Sequence, residues 1–326
     1  MQAPAMRQLE VLTLKKVNEN GLIFGEMVPF VTPMRLGIIL ENISIKVKES
    51  IKEIRGPRLG APKNAIDGFL KKNNIEKNDL QEKKTAKGDF YFYSFKINAQ
   101  SLSNILARIF KEIIQEFNWP KSMYWGDNYS LRWVRPLRSI TSVLFENEKR
   151  ERVPLNVRDI DSNIVTRGQQ EMHPEFFDFK SIKDYQEKIL KGKVILRPQD
   201  RKKIIIHEGK RLAEARGFYL VEDDKLLEEI VGLTEFPIPL LGKIPEELLS
   251  IPEEVIVTSM REHQKFLSLR SSANGKVEGF LLVTDLETHD QQKTILSGNM
   301  RVLNSRLKDA IFFYQNDLEW TVWYDL

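Results

Sequence analysis

The sequence predicts an α+β fold, with small mixed sheets packed against amphipathic helices, and three observations carry that reading. Short β-rich runs alternate with helical periodicities along the whole chain. No internal repeat or low-complexity linker interrupts them. The 326 residues exceed one comfortable core, so two regions are expected, 1–160 and 161–326.

The 41% hydrophobic and 29% charged residues describe an ordinary chain able to bury a core.

The elements follow in order. Thr32-Pro33 reads as a turn, and Arg35–Leu40 after it as an apolar strand. Gly56–Pro62 reads as a stiff loop, since its two prolines limit φ and its two glycines admit close backbone approach. A helix is expected over Asn64–Lys72 and an aromatic strand over Phe90–Ile97. Ser101–Phe117 is the clearest helix, with Leu102, Ile105, Leu106, Ile109, Phe110, Ile113, Ile114 and Phe117 on one broad face. Ser139–Phe145 reads as a strand, and Ser181 to Asp184 as a capping box opening a helix that ends near Gly192. Pro198–Arg216 is a helix with proline in its first turn and Gly217 as its stop. Another helix spans Asp224–Leu233, ended by the prolines at 237 and 239. Lys265–Arg270 and Val277–Thr284 flank Asn274-Gly275 as a hairpin, and 289–318 is helical.

Composition narrows the chemistry. With no cysteine, disulfides, thiolate nucleophiles and Cys-type zinc sites are excluded. No apolar stretch approaches the ~18–20 residues of a membrane span, and Met1 to Met6 lacks the pattern of a secretory signal. A cytosolic protein is expected. The four histidines show no ligand spacing, and Glu262-His263 lacks the second histidine of the helical zinc signature. Neither phosphate-loop pattern occurs. The net charge of +4 leaves a polyanion partner and an ordinary solvated surface both open.

Three segments concentrate charge or aromatics. Arg55, Arg58 and Lys63 surround the Gly56–Pro62 loop, ahead of a helix amino end where a phosphate can sit. Three tryptophans, Trp119, Trp125 and Trp133, interleave with Lys121, Arg132, Arg135 and Arg138. That mixture suits RNA, whose bases stack on rings and whose phosphates pair with guanidinium groups. It equally suits a core element with buried rings, and the residues alone favour the core. Gly298 to Tyr314 reads as a turn and an amphipathic helix, with Val302, Leu303, Leu307, Ala310 and Phe313 on one side and Arg301 and Arg306 among its charges.

Taken together, GPRLGAPKNAIDGFL (56–70), WPKSMYWG (119–126), LRWVRPLRSI (131–140), EFPIPLLGKIPEELLSIPEEVI (235–256), MREHQKFL (260–267) and GNMRVLNSRLKDAIFFYQNDL (298–318) resemble, in order and spacing, the amino-terminal half of the β subunit of the bacterial two-subunit glycyl-tRNA synthetase. The resemblance implies a ligase that joins glycine to tRNA in an α/β heterotetramer. It places ATP, Mg and adenylate formation on the α subunit and assigns this chain no cofactor or catalytic residue. The implied partners are tRNA(Gly) and the α subunit, with no membrane and no DNA. RNA contacts are then expected at Arg55, Arg58, Lys63, Lys121, Arg132, Arg135 and Arg138, with Arg301 and Arg306 secondary. Three departures accompany the resemblance. The family's opening acidic segment is missing, its G-H-R-F stands here as Gly168-Gln169-Gln170-Glu171, and the last seven residues do not match. The family's HD-like and anticodon-binding regions are expected to be absent, so the chain reads as truncated. The alternative is a folded remnant or stand-alone RNA-binding fragment.

Overall fold

The computed structural model describes residues 1–45, 51–73, 75–85, 88–96, 101–125, 131–146 and 149–320. Among these, the helices are α1 (Gln2–Glu19), α2 (Lys63–Asn73), α3 (Leu102–Glu116), α4 (Ile182–Lys191), α5 (Pro198–Glu214), α6 (Asp224–Val231), α7 (Glu253–Ser259) and α8 (Lys293–Trp320). Small sheets separate them, so the fold is α+β. The expected aromatic strand appears as Gly88–Lys96; Ile97 lies outside the described residues.

The first core forms around α3. Ser101 caps it, its hydroxyl accepting from the Asn104 N–H at 3.2 Å. Ile105, Leu106, Ile109 and Ile113 then fall on one buried stripe against Ala5, Leu9 and Val17 of α1. Ile114 faces Ile140, Leu155 and Val157, and Phe110 packs on both clusters. Lys16 ties the two helices by pairing with Glu112 at 2.9 Å and Glu116 at 2.6 Å. The second core is built on an antiparallel four-stranded sheet, ordered Tyr219–Leu220, Leu267–Arg270, Val277–Thr284, Ile238–Lys243. Leu281 faces α5 and α6, whereas Phe280 and Leu282 face α7 and α8, following the two-residue period of a strand. Both faces are covered, which explains the nearly continuous apolar run in that strand.

Several expectations change. Gly56, Pro57 and Arg58 belong to the strand Ile51–Arg58, whose pairing shifts register between Arg55 and Arg58; proline is tolerated at such a bulge. Ser139–Phe145 is two strands, Ile140–Thr141 and Val143–Glu146, in different sheets. The expected capping box is half formed: Ser181 accepts from Asp184 N–H, but the Asp184 carboxylate reaches back to the Lys180 N–H at 2.7 Å. That hydrogen bond holds its pKa below the usual aspartate value. α6 stops at Gly232, before the prolines, and Pro239 lies in a strand that periodicity missed; an edge position accommodates it. Lys265 is left-handed at φ 57°, so its strand starts at Leu267.

The end of the chain corrects one more expectation. Gly298 lies inside α8, not in a turn before it. Leu303 and Leu307 are fully buried, but Val302 and Phe313 are 45% and 64% exposed. Ala310 packs as expected, and the stripe is completed by Met300, Ile311 and Tyr314 in place of Val302 and Phe313. At the start of α8, the Thr288 and Thr294 hydroxyls donate to the Asp290 carboxylate, with the Thr294 N–H added at 2.7 Å. These bonds, led by that from Thr288, hold its pKa down at about 2. A depressed carboxylate stabilises the fold above its unfolded pKa of 3.8, and that contribution is lost as pH falls through about 2. Unfolding curves of the parent and Asp290→Asn should therefore converge between pH 5 and 2; a constant separation would contradict this.

Candidate nucleic-acid interface

All nine cations expected to touch RNA are exposed, but they fall into three groups. Arg55 and Arg58 lie on the strand Ile51–Arg58, and Lys63 begins α2 just beyond the turn. Lys121 precedes the strand Met123–Trp125, which pairs with Leu131–Trp133 so that Tyr124 opposes Arg132. Arg135 and Arg138 follow that hairpin. Arg301 and Arg306 lie on α8.

The middle group has the most developed architecture. Phe117, Trp119 and Trp133 form an aromatic cluster with ring centroids 4.7–5.3 Å apart, the two tryptophans meeting edge to face. Trp125 is held by its indole N–H, which donates to Trp133 O at 2.9 Å. Two of the three tryptophans therefore belong to the first core or pack against it, as the residues alone favoured. The charges of the same segment point outward. Arg132 donates to Ser122 Oγ at 2.7 Å, while Met123 and Tyr124 are 63% and 56% exposed beside it. The hairpin is thus anchored by rings on one side and presents cations with an exposed tyrosine on the other.

Arg135 and Arg138 also border a cleft of about 2670 Å³, walled by α1, the hairpin Met27–Val31/Leu36–Leu40 and the segment 133–145. None of the other seven cations lines it. Its lining carries acidic and basic residues together, including Glu228 and Glu229 with Lys202 and Lys225. The cleft is consequently not a uniformly positive channel.

In the wall of the cleft lies a polar cluster that sequence reasoning did not find. Glu235, 2% exposed, accepts from Thr32 Oγ1 at 2.6 Å and Arg35 Nε at 3.0 Å. Arg35 also donates to Gly168 O at 2.6 Å. Asp285 accepts the N–H groups of Glu235 and Phe236 at 2.8 and 2.6 Å, although burial pushes its carboxyl pKa up. Arg201, fully buried, donates to Val31 O, Ile195 O, Leu196 O and Val231 O at 2.5–3.2 Å. Its burial lowers the guanidinium pKa to about 10, which still leaves it charged at neutral pH. One local signal existed: Arg201 occupies the same helical stripe as buried Ile205, Gly209 and Ala213. A charged residue on an apolar stripe needs buried partners. The partners themselves lie as far as 170 residues away.

Glu262 and His263 do not make a catalytic pair. Both are exposed on the π-helical turn Met260–Gln264. Glu262 is paired with Arg261 at 3.2 Å and Lys265 at 3.9 Å, whereas His263 lines a small groove with Arg306 and Asp309 that Glu262 does not enter. Among the described residues, no group of three or more His, Asp or Glu is placed to hold a metal. No described helix is long and apolar enough to cross a membrane.

A family model described as "Glycyl-tRNA synthetase beta subunit" matches residues 1–323. The chain belongs to this family. It is 39% identical over 318 residues to the glycine–tRNA ligase beta subunit of Paracoccus denitrificans, a match covering 98% of this chain and 46% of the relative. A protein of the same name from Dinoroseobacter shibae is also 39% identical, over 98% of this chain and 44% of its own length. The Rickettsia typhi protein is 36% identical over 307 residues, covering 94% and 45% respectively. The chain thus spans about half the length of these glycyl-tRNA synthetase β-subunit relatives. At the G-H-R-F departure, Gln169 is buried and its side-chain oxygen accepts from the Glu171 and Met172 N–H groups, both at 2.7 Å. Gly168 packs so closely on Gly192 that an added Cβ would stand 2.4 Å from Gly192 O. In this member of the family, the segment closes a tight turn beside the cleft.

Proposed function

We propose that this chain is the tRNA-holding portion of a cytoplasmic glycine–tRNA ligase β subunit. Glycyl-adenylate formation, with its ATP and Mg, lies on a separate α subunit. The match over residues 1–323 carries the reading. The exposed cations of the middle group give it a surface, because their aromatic footing fixes the backbone from which Lys121, Arg132, Arg135 and Arg138 project. Phosphate neutralisation by such side chains supplies affinity that falls with salt. We also assign two regions, 1–160 and 161–326. The existence of two core regions is supported by the separation of the buried clusters of residues 5–157 and 205–314.

The test is charge reversal of Arg135 and Arg138 together, with tRNA affinity measured across a salt series. Affinity for tRNA(Gly) should fall on the order of tenfold or more at low salt. The log–log salt slope should become shallower by roughly one unit for each phosphate that the variant no longer neutralises. Unchanged affinity and slope would exclude this surface. Co-purification with the α subunit, with tRNA glycylation measured alongside, separates a working subunit from a folded fragment that binds RNA without joining a synthetase.

A further inference from the structure

The first group of cations sits on a sheet face with a different character. The strands Ile51–Arg58, Gly88–Lys96 and Leu80–Thr85 form an antiparallel sheet in that spatial order. Directly opposed residues share a face of a sheet. Arg55 and Gln81 flank Phe92, Arg58 and Lys83 flank Phe90, and Glu53 opposes Ser94. One face therefore carries Phe90 and Phe92 with Arg55, Arg58 and Lys83. On the other face, Phe69 of α2 lies 3.1 Å from the position of a Cβ on Gly56. A helix closes one side and leaves the aromatic, basic side outward.

The cations are already stacked. Arg55 Cζ stands 3.6 Å from the Phe90 ring centroid and Arg58 Cζ 5.5 Å from it, while Lys83 Nζ is 5.7 Å from the Phe92 centroid. Phe90 is only 8% exposed although both arginines above it are exposed. The ring thus holds a guanidinium outward at the surface. Among the described residues no carboxylate pairs with Arg55, whereas Glu53 is occupied by Lys83. The named charges of this face are the cations Arg55, Arg58 and Lys83 and the carboxylate Glu53, which Lys83 engages.

We propose that this face binds unpaired RNA nucleotides, with a base stacked on the Arg55 guanidinium and phosphates drawn to the positive charge of Arg55 and Arg58. A guanidinium plane and an aromatic ring are the surfaces on which splayed bases stack, and an A-form duplex keeps its bases unavailable for that contact. Phe90 and Phe92 are two residues apart, ~7 Å along a strand, room for successive bases. The inference rests on the reading that this chain binds tRNA and names the part of an RNA that one surface takes.

The experiment uses the whole chain and three labelled probes: an eight-nucleotide single-stranded RNA, a blunt RNA duplex of equal phosphate count, and tRNA(Gly). Arg55→Lys keeps the charge and removes the plane. It should weaken single-strand binding by about tenfold, the scale of one base stack, without changing the salt slope. Phe92→Ala should weaken it similarly, and Phe92→Tyr should retain it. Circular dichroism spectra identical to the parent's establish that each variant is folded. Equal binding of duplex and single strand, or parent-like single-strand binding by Arg55→Lys, would overturn the inference. Preferential capture of an acidic peptide by this face would overturn it too. If tRNA binding responds to Arg135 and Arg138 but Arg55→Lys leaves single-strand binding intact, only the sheet assignment fails. If the single strand binds as described and tRNA does not bind, only the tRNA reading fails.

Discussion

Arg201→Met should lower the unfolding free energy by about 3–5 kcal/mol, the scale of several lost hydrogen bonds from a charged donor. The guanidinium is fully buried and supplies N–H donors to carbonyls of Val31, Ile195, Leu196 and Val231. Methionine fills similar volume but donates nothing, so each carbonyl left dry costs ~1–3 kcal/mol. Val231 ends α6, where the helix leaves its last carbonyls without intrahelical partners and its dipole favours a cation. Partial entry of water will offset some of the loss, which is why the expected total lies below the sum of four separate penalties. Stabilities of folded domains are roughly 5–15 kcal/mol, so the variant should be close to marginal. A urea titration reads the effect as a lower midpoint at unchanged slope. A loss below ~1 kcal/mol would mean that this arginine does not organise the buried cluster.

Gly242→Val should be damaging for the opposite reason, excess volume. Gly242 opposes Phe280 across the sheet, and a Cβ built on it would meet the ring at 2.2–2.8 Å. Phe280 has nowhere to retreat: it is fully buried and stacked on Phe266 at 4.7 Å. Overpacking costs typically ~1–3 kcal/mol. The β-propensity advantage of valine is at most ~1 kcal/mol and does not offset a clash that extends to its two methyl groups. Stability measured for Gly242→Ala, Phe280→Leu and the double variant tests the cause. The double variant should be more stable than the sum of the single losses implies; simple additivity would place the damage elsewhere. The same device recurs in the first half, where Gly37 opposes Phe30 and would carry its Cβ 2.2 Å from that ring.

These two sites mark the limit of reading structure from sequence in this chain. α3 was legible because its hydroxyl cap and apolar stripe lie within a few residues of one another. The hairpin around Asn274-Gly275 was legible for a similar reason: its turn and both strands, Leu267–Arg270 and Val277–Thr284, are close in sequence. The strand Ile238–Lys243 was not, because its proline is acceptable only at an edge, and edges are defined by the finished sheet. α8 shows the same boundary within one helix. Its periodicity located the helix and placed Leu303, Leu307 and Ala310 on the packed side, but it also put Val302 and Phe313 there, whereas packing against α7 and the sheet selected Met300, Ile311 and Tyr314.

For the interface, ordered motifs were sufficient to identify the glycyl-tRNA synthetase β-subunit family and to name nine cations that are all exposed. Local chemistry also left a true ambiguity over the tryptophans, which folding resolved by burying Trp119 and packing Trp133 against it. Capping, turns and periodicity act through neighbours in the chain, so the amino-acid order alone determines them. The grouping of the cations, the stacking of Arg55 on Phe90, and the meeting of Arg201 with Val31 depend on surfaces brought together from distant segments. Such arrangements form only when burial makes an unpaired charge or an unfilled space costly, and that cost exists only in the folded molecule.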